Sequence, residues 1–524
     1  MAMMPPLKIP ELGLSEADAQ RRFEQLQEKL VPLWESISKF NEGEQTIVVV
    51  PSQTLDFDCK GAEMQAYEER MLFMLFLLRQ PRARLVYATS QTILPSTLDY
   101  YMSLMPGVIT THALARFFNV AVEDRTPRPL TIKLLERPHV CERIRALVLD
   151  PDRAHLVAYN VTNYERDLAL RLGIPIYGAD PAFSRLGSKT GSREVFAEAG
   201  ISYPLGFEDL HSLDEVRAAL AEMRRQKPAI KSAMVKLNDS VSGEGNAVVS
   251  FDGLPAPGAP GADEALDACL RSMQFELSTM NFESFFESLA DMGGIVEERI
   301  QGRNFCSPSV QMRVTPLRAV EVCSTHDQLL GGRMGQSFLG SCFPANPAYS
   351  PLIGSEARKV AERLAERGVL GRFAIDFVMV RGEEGNWESY AIEINLRKGG
   401  TTHPFLMLQF LTNGQYHEEE GVFRAPSGVS KYYVASDHLE STLYRVFTPT
   451  DLFDIVIRHA LHFDQARQTG ILLHMLATTS ENGRFGLVAV GDSPEEAQEL
   501  YDRMQAVVKA EAEQAISPKP LPPL

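Results

Sequence analysis

Apolar and polar positions along the chain change period several times. Between residues 46 and 185, short β-rich runs at 46–50 (TIVVV), 84–88 (RLVYA), 146–149 (ALVL), 155–159 (HLVAY) and 174–177 (IPIY) alternate with stretches of helical spacing. Such alternation predicts an open parallel α/β layer. Residues 1–45 read as a helical lead-in, with Ser15 as a cap and Leu26, Leu30 and Leu33 at helical spacing. From 186 to 424 the pattern becomes α+β, beginning where GSKTGSR at 187–193 opens a helix and continuing through a Ser212/Glu215 capping box. The string GLPAPGAPGA at 253–262 is a mobile loop by composition. Residues 425–510 read as a small C-terminal α/β cap, and 511–524 as a tail. The fold class is therefore α/β and α+β multidomain.

Two apolar runs, FAIDFVMV at 373–380 and YAIEINL at 390–396, carry Asp376, Glu393 and Asn395 where core strands would hold hydrophobes. The polar segment between them, with Gly382 and Gly385, predicts a hairpin. If 380 pairs with 389, Asp376 lies opposite Glu393, and strand alternation puts Asn395 on the same face. Burying two carboxylates unpaired would cost several kcal/mol, which a hard cation bound through oxygen ligands removes. One isolated acid in a strand is ordinarily a solvated edge residue; three oxygen-bearing side chains on one face favour a metal–nucleotide site.

Length and charge narrow the field. At 524 residues the chain exceeds a single core and predicts three or four domains. A formal net charge of −16 disfavours nonspecific attraction to nucleic acid or to anionic lipid, so an anionic substrate needs local cations. Six scattered cysteines without zinc-ligand spacing read as reduced thiols. The amino terminus lacks a secretory pattern, and the apolar run MLFMLFLL at 71–78 is far shorter than the ~20 residues of a membrane span. Together these predict a cytoplasmic protein.

Ahead of the hairpin, MVKLNDSVSGEGNAVV at 234–249 reads as a strand with Lys236, a loop containing Ser242, Gly243 and Gly245, and a second strand. A lysine there can meet phosphate, and a Ser/Gly loop can close backbone N–H groups over it, although such hairpins are often plain turns. Neither a Walker loop nor a dinucleotide fingerprint is present. Lys189 falls at a predicted helix start, where an anion is favoured, yet a lone lysine is more often solvated. The segment GIVEERI at 294–300 presents Glu297, Glu298 and Ile300 on an amphiphilic strand.

The order of these features, across roughly 186–420, resembles the ATP-grasp superfamily, with 46–185 similar to its pre-ATP-grasp domain. The resemblance implies that Lys189 and Lys236 contact nucleotide phosphates and that the loop 240–246 closes over them. It further implies that Glu297 accepts from the adenine amino group beside the 298–300 backbone, and that Asp376, Glu393 and Asn395 hold Mg²⁺, or Mn²⁺ in its place. Where many members carry an acid that holds the ribose, this chain has Asn304 or no counterpart, leaving that contact unassigned. Within the superfamily, EINLRKGGTTHP at 393–404 and TGILLH at 469–474 look like the pheganomycin-type peptide ligases, which couple a carboxylate to an amine.

Such a ligase uses ATP to form an acyl phosphate that an amine then attacks, releasing ADP and phosphate in peptide or natural-product biosynthesis. Its partners are small-molecule or peptide carboxylate and amine substrates, with neither nucleic acid nor membrane, and dimers are common among such proteins. Arg397 is the first candidate to hold the transferring group, with Arg372 and Arg313 behind it; each has a surface ion pair as its alternative. Residues 399–402 offer N–H groups to an acyl oxygen. His403 is a candidate base or, more simply, a structural histidine. Rival readings are a phosphotransferase or carboxylase-like enzyme on the same nucleotide site, and a nucleotide-binding scaffold without catalysis.

Overall fold

The computed structural model describes residues 7–38, 43–55, 59, 61–240 and 243–517. Four strands, β1 (Gln45–Val50), β2 (Ala83–Thr89), β3 (Phe117–Ala121) and β4 (Ala154–Ala158), form a parallel sheet in the order β3-β2-β1-β4. They are apolar on both faces because both are covered. Val48, Val50 and Val86 pack with Phe23 of the lead-in helix Glu16–Gln27, while Ile47, Val49 and Leu85 meet Leu72 and Phe76 on the other side. Ser15 caps that lead-in helix by accepting from the Asp18 N–H.

One predicted strand is a helix. The run at 146–149 finishes the helix Pro138–Leu147, whose first-turn proline and buried Val140, Cys141 and Ile144 set a helical period that Ala146 and Leu147 merely continue. The edge of the sheet is β3 instead, which the apolar pattern does not single out because four of its five residues, all but Val120, are only half-buried.

The next unit is an antiparallel sheet of β5 (Gly206–Leu210), β6 (Ser232–Leu237), β7 (Asn246–Ser250), β8 (Gln274–Phe275) and β9 (Gly294–Glu298), ordered β5-β9-β6-β7-β8. Alternation divides β6 cleanly. Ala233, Val235 and Leu237 join a core with Val216, Leu220 and Met223 of the helix Leu213–Gln226, and Met234 and Lys236 face the other way, into a cavity.

A nine-stranded sheet completes the fold. Its members are β10 (Arg303–Cys306), β11 (Pro308–Val314), β12 (Val320–Gly331), β13 (Ser337–Phe343), β14 (Gly371–Arg381) and β15 (Trp387–Asn395). After a short hairpin of β16 (Gln415–His417) and β17 (Val422–Arg424), the chain adds β18 (Tyr432–Glu440), β19 (Gly470–His474) and β20 (Arg484–Gly491). The C-terminal α/β unit has its own core of Leu473, Phe485, Leu487, Met504 and Val508. Its strands are nonetheless continuous with the larger sheet, through pairing of β18 with β13. A single apolar cluster joins Leu72 and Tyr101 of the first domain to Phe405, Leu408 and Val488, so the parallel domain is packed against the C-terminal unit. Among the described residues no helix is long and apolar enough to cross a membrane, and the six cysteines are free.

Candidate nucleotide and metal site

A cavity of about 800 Å³ is walled by both antiparallel sheets and, at its far end, by the parallel domain. Its floor is the β14/β15 hairpin. Phe373, Ile375, Phe377 and Met379 are 0–1% exposed and anchor β14 in the core beneath, which turns Ala374, Asp376 and Val378 toward the cavity. Asp376 lies directly opposite Glu393. Toward the turn the register slips by one, so that Val380 faces Glu388 instead of Ser389, and Ile392 is left without a partner. This bulge holds the inner pair in place and puts both Ile392 and Glu393 on the cavity side.

The Asn395 amide donates to Asp376 Oδ2 at 3.1 Å and to Glu393 Oε1 at 3.0 Å. Burial and the neighbouring Glu393 charge push the Asp376 pKa up. Burial acts on Glu393 in the same direction, but the ammonium groups of Lys189 and Lys236 outweigh it and hold Glu393 down. Two carboxylates so placed, with an amide able to present its oxygen, are a hard donor set that fits Mg²⁺.

Above them stand the cations. Lys189 opens the helix Lys189–Ala199 behind the Ser188 cap and pairs with Glu393. Ser192 of the same helix accepts the Ile394 N–H at 2.9 Å, which fixes the helix start over β15. Lys236 pairs with Glu297 Oε1 at 2.6 Å, the two side chains being 6% and 3% exposed. They are diagonal neighbours on β6 and β9, since Lys236 is opposite Ile295 and Met234 is opposite Glu297. Arg193 approaches the other Glu297 oxygen at 3.5 Å. Removing one member of such a buried pair costs about 3–5 kcal/mol.

The structure brings most of the sequence-predicted residues to one cavity. Lys189, Lys236, Gly243, Glu297, Glu298, Ile300, Asp376, Glu393, Asn395 and Arg397 all line the cavity, as do Gly399, Gly400 and Thr401. The Glu298 carboxylate is drawn off to Lys227 at 2.6 Å. Gly245 lies behind the wall, where a Cβ would stand 2.6 Å from Ser240, and Ser242 lies outside the described residues.

Other candidates are set apart. Arg372 shares the Asp376 face but sits four residues back, roughly 13 Å along the strand, with its guanidinium 3.3 Å from Cys323 Sγ and away from the cavity wall. Arg313 is engaged by Glu321 and by the Trp34 ring. His403 is 2% exposed, beneath the wall beside Asp437 and His474, and Asn304 does not reach the cavity.

Sequence reasoning missed several wall residues. Gln311 bonds the Thr401 and Thr402 hydroxyls and so holds the turn after β15, while Thr402 Oγ1 accepts the Gly399 N–H at 2.9 Å. Glu276 accepts from the Met334 N–H at 2.8 Å and from Ser337 at 2.9 Å, tying β8 to the loop before β13. Both are lone polar residues whose partners are distant in the chain. Buried polar alternation on β11, where Ser309 and Gln311 alternate with the core residues Val310 and Met312, was the one available signal.

Comparison with known proteins gives a consistent set of likenesses. A family model described as IQCH-like, ATP-grasp matches residues 181–255 and 265–419, and one described as PGM1 C-terminal domain matches 451–504. L-propargylglycine–L-glutamate ligase of Streptantibioticus cattleyicolor is 30% identical over 450 residues, covering 84% of this chain and 89% of that protein. IQ motif-containing protein H of Danio rerio is 22% identical over 462 residues, 78% of this chain and 43% of the larger protein. Among solved structures, biotin carboxylase from Campylobacter jejuni in complex with β,γ-ATP superposes with a TM-score of 0.53 at 12% identity, covering 90% of this chain and 95% of the other. The biotin carboxylase domain of the Hydrogenobacter thermophilus 2-oxoglutarate carboxylase, with MgADP, gives 0.50 at 14% identity and 90% of each chain. At these identities the solved structures speak to the fold alone.

Proposed function

Because the chain belongs to the ATP-grasp superfamily, among its pheganomycin-type peptide ligases, we propose that it joins a carboxylate to an amine at the expense of ATP. The observation that carries this reading is the convergence of Asp376, Glu393 and Asn395 beneath Lys189 and Lys236 in one cavity. In a chain of net charge −16, cations gathered over paired acids match a metal-bound polyphosphate.

Mg²⁺ held by Asp376, Glu393 and Asn395 would neutralise phosphate charge; Lys189 and Lys236 orient the chain of phosphates as point charges. The adenine lies against the 298–300 segment beside Glu297. A substrate carboxylate oxygen attacks the γ-phosphorus, the bond from that phosphorus to the β,γ-bridging oxygen breaks, and ADP departs. The resulting acyl phosphate is attacked at carbon by the amine, phosphate leaves, and the amine proton passes to solvent or to that phosphate. Arg397 faces the same space and is placed to steady the transferring group, while the Gln311-braced turn, closed by the Gly399 and Thr402 N–H groups within itself, leaves the Gly400 and Thr401 N–H groups to meet the acyl oxygen. Catalysis is then chiefly positioning and charge neutralisation.

The test is ADP and phosphate release from the purified chain with ATP and Mg²⁺, across a panel of amino-acid and peptide carboxylates, with and without amines. Release that requires both partners, with a product one water lighter than their sum, is expected. Release without any amine would favour a phosphotransferase or carboxylase-like enzyme, and nucleotide binding without release would favour a scaffold.

A further inference from the structure

Past Arg397 the cavity ends against Gln53, Tyr67, Arg70, His438 and Arg484, where the parallel domain meets the C-terminal unit. Asp437 stands behind these residues. Arg70 pairs with its Oδ2, and the Arg484 guanidinium donates to its backbone carbonyl at 2.8 Å. The other carboxylate oxygen, Oδ1, faces two imidazoles, with His403 Nε2 at 3.4 Å and His474 Nε2 at 3.9 Å. All three residues are buried, at 2% exposure for His403 and Asp437 and 1% for His474.

A neutral imidazole has one N–H to donate and one lone pair to be met. None of the four ring nitrogens of His403 and His474 has a well-aligned hydrogen-bond partner among the described residues. Buried polar atoms are nearly always paired, so two adjacent orphaned rings call for a ligand. The rings themselves are held. They pack edge to face with centroids 4.4 Å apart. His474 also lies against Gly486, its partner across the β19/β20 ladder, so closely that a Cβ there would stand 2.0 Å from the ring.

The three candidate ligand atoms lie within 4.8 Å of one another. In a four-coordinate zinc site, bonds of about 2.0 Å set neighbouring ligand atoms about 3.3 Å apart. The edge from Asp437 to His403 already has nearly that length, and small ring rotations close the others. Two imidazoles and one carboxylate form a nitrogen-rich set that suits Zn²⁺ in preference to Mg²⁺, which separates this cluster from the oxygen set of Asp376, Glu393 and Asn395. Arg70 on the second Asp437 oxygen is the kind of outer contact that ligating carboxylates commonly have. The carboxylate lies between guanidinium and ion and so moderates their repulsion.

We propose that His403, Asp437 and His474 form a second metal site, for Zn²⁺, with water in the fourth position. The ligands come from three elements: the first turn of the helix Thr402–Thr412, β18, and the last residue of β19. An ion there ties the start of that helix to both strands of the C-terminal unit. The turn 399–402 runs directly into the helix, so the ion also fixes the backbone that lines the cavity at Gly399, Gly400 and Thr401.

The full chain is stripped with a chelator, returned to excess Mg²⁺ to fill the oxygen site, and titrated with Co²⁺ as a spectroscopic stand-in for Zn²⁺. One Co²⁺ per chain should bind with the strong visible absorption of a four-coordinate ion, and Zn²⁺ should displace it. His403→Gln and His474→Gln should each weaken that binding by at least about a hundredfold, whereas Asp376→Asn with Glu393→Gln should leave it unchanged. X-ray absorption on the Zn²⁺-loaded unmodified chain should show two imidazoles at about 2.0 Å, a reading that does not depend on how any variant folds. Weak six-coordinate binding, full affinity in both histidine variants, loss of the ion in the Asp376/Glu393 variant, or a shell without imidazole would each overturn the site. No step of this test involves turnover, so its outcome is separate from that of the ligation assay.

Discussion

At the nucleotide end of the cavity the charged groups stand on neighbouring strands, Asp376 opposite Glu393 and Lys236 diagonal to Glu297. At the far end Arg70 and Asp437 are 367 residues apart in sequence and meet only because the first domain packs on the last. The contrast extends to how each charge is satisfied. Asp376 and Glu393 share one Asn395 amide, and although Lys189 pairs with Glu393 the Glu393 charge still pushes the Asp376 pKa up, an arrangement that the proposed cation would complete. Asp437 has its counter-charge within the protein, in Arg70, with the His403 and His474 rings 3.4 and 3.9 Å away. One end is built to change partners and the other to stay fixed. A reaction cavity needs both, because transfer requires exchangeable ligands held against a rigid reference.

The largest expected effect breaks the exchangeable end. Asp376→Asn combined with Glu393→Gln should lower ADP release by at least about 10³-fold while leaving folding intact by circular dichroism; unchanged turnover would remove the metal assignment. At the fixed end, Arg70→Met should instead destabilise the chain by about 3–5 kcal/mol in a denaturant titration, since Asp437 is left buried without its cation. The sign with pH follows. Burial alone would raise the Asp437 pKa, but Arg70 and His403 hold it well below the ordinary 3.8. Its contribution is therefore present above the unfolded carboxylate pKa and lost only as pH falls through the depressed folded value. In Arg70→Met that plateau at neutral pH should disappear.

A third measurement sharpens the contrast through the ligand. MgADP at 100 times its dissociation constant should stabilise the chain by about 2.7 kcal/mol, and the gain should vanish on chelating the divalent ion or in the Asp376/Glu393 double variant. The smallest effect is at the rim of the nucleotide end. Glu298→Gln removes an exposed pair with Lys227 worth under about 1 kcal/mol, and the KM for ATP should stay within about threefold if the 298–300 backbone, not that carboxylate, meets the base.

What could be read from the sequence follows the same division. Asp376, Glu393 and Asn395 were legible because alternation forces residues within a hairpin to converge, and the β14/β15 pairing at Asp376 has the expected partner. The one-residue bulge at Ile392 was not legible, since nothing local distinguishes a slipped register near the turn. The parallel layer followed from alternating β and helical runs, whereas 146–149 was misread as strand because a four-residue apolar run has no period long enough to separate the last turn of a helix from a strand. Gln53, Arg70, Asp437 and Arg484 carried no signal at all. Each is a single polar residue whose meaning depends on a docking between the two ends of the chain.

The pairing of β13 with β18 has a consequence for how this molecule can be taken apart. A polypeptide cut near residue 425 would retain the acids and lysines of the nucleotide end but would leave the amide and carbonyl groups that Gly340–Phe343 present to β18 without their partners. An open edge of that kind is a template for pairing with strands of other copies. Any replacement of the terminal unit therefore has to supply a strand at the same edge.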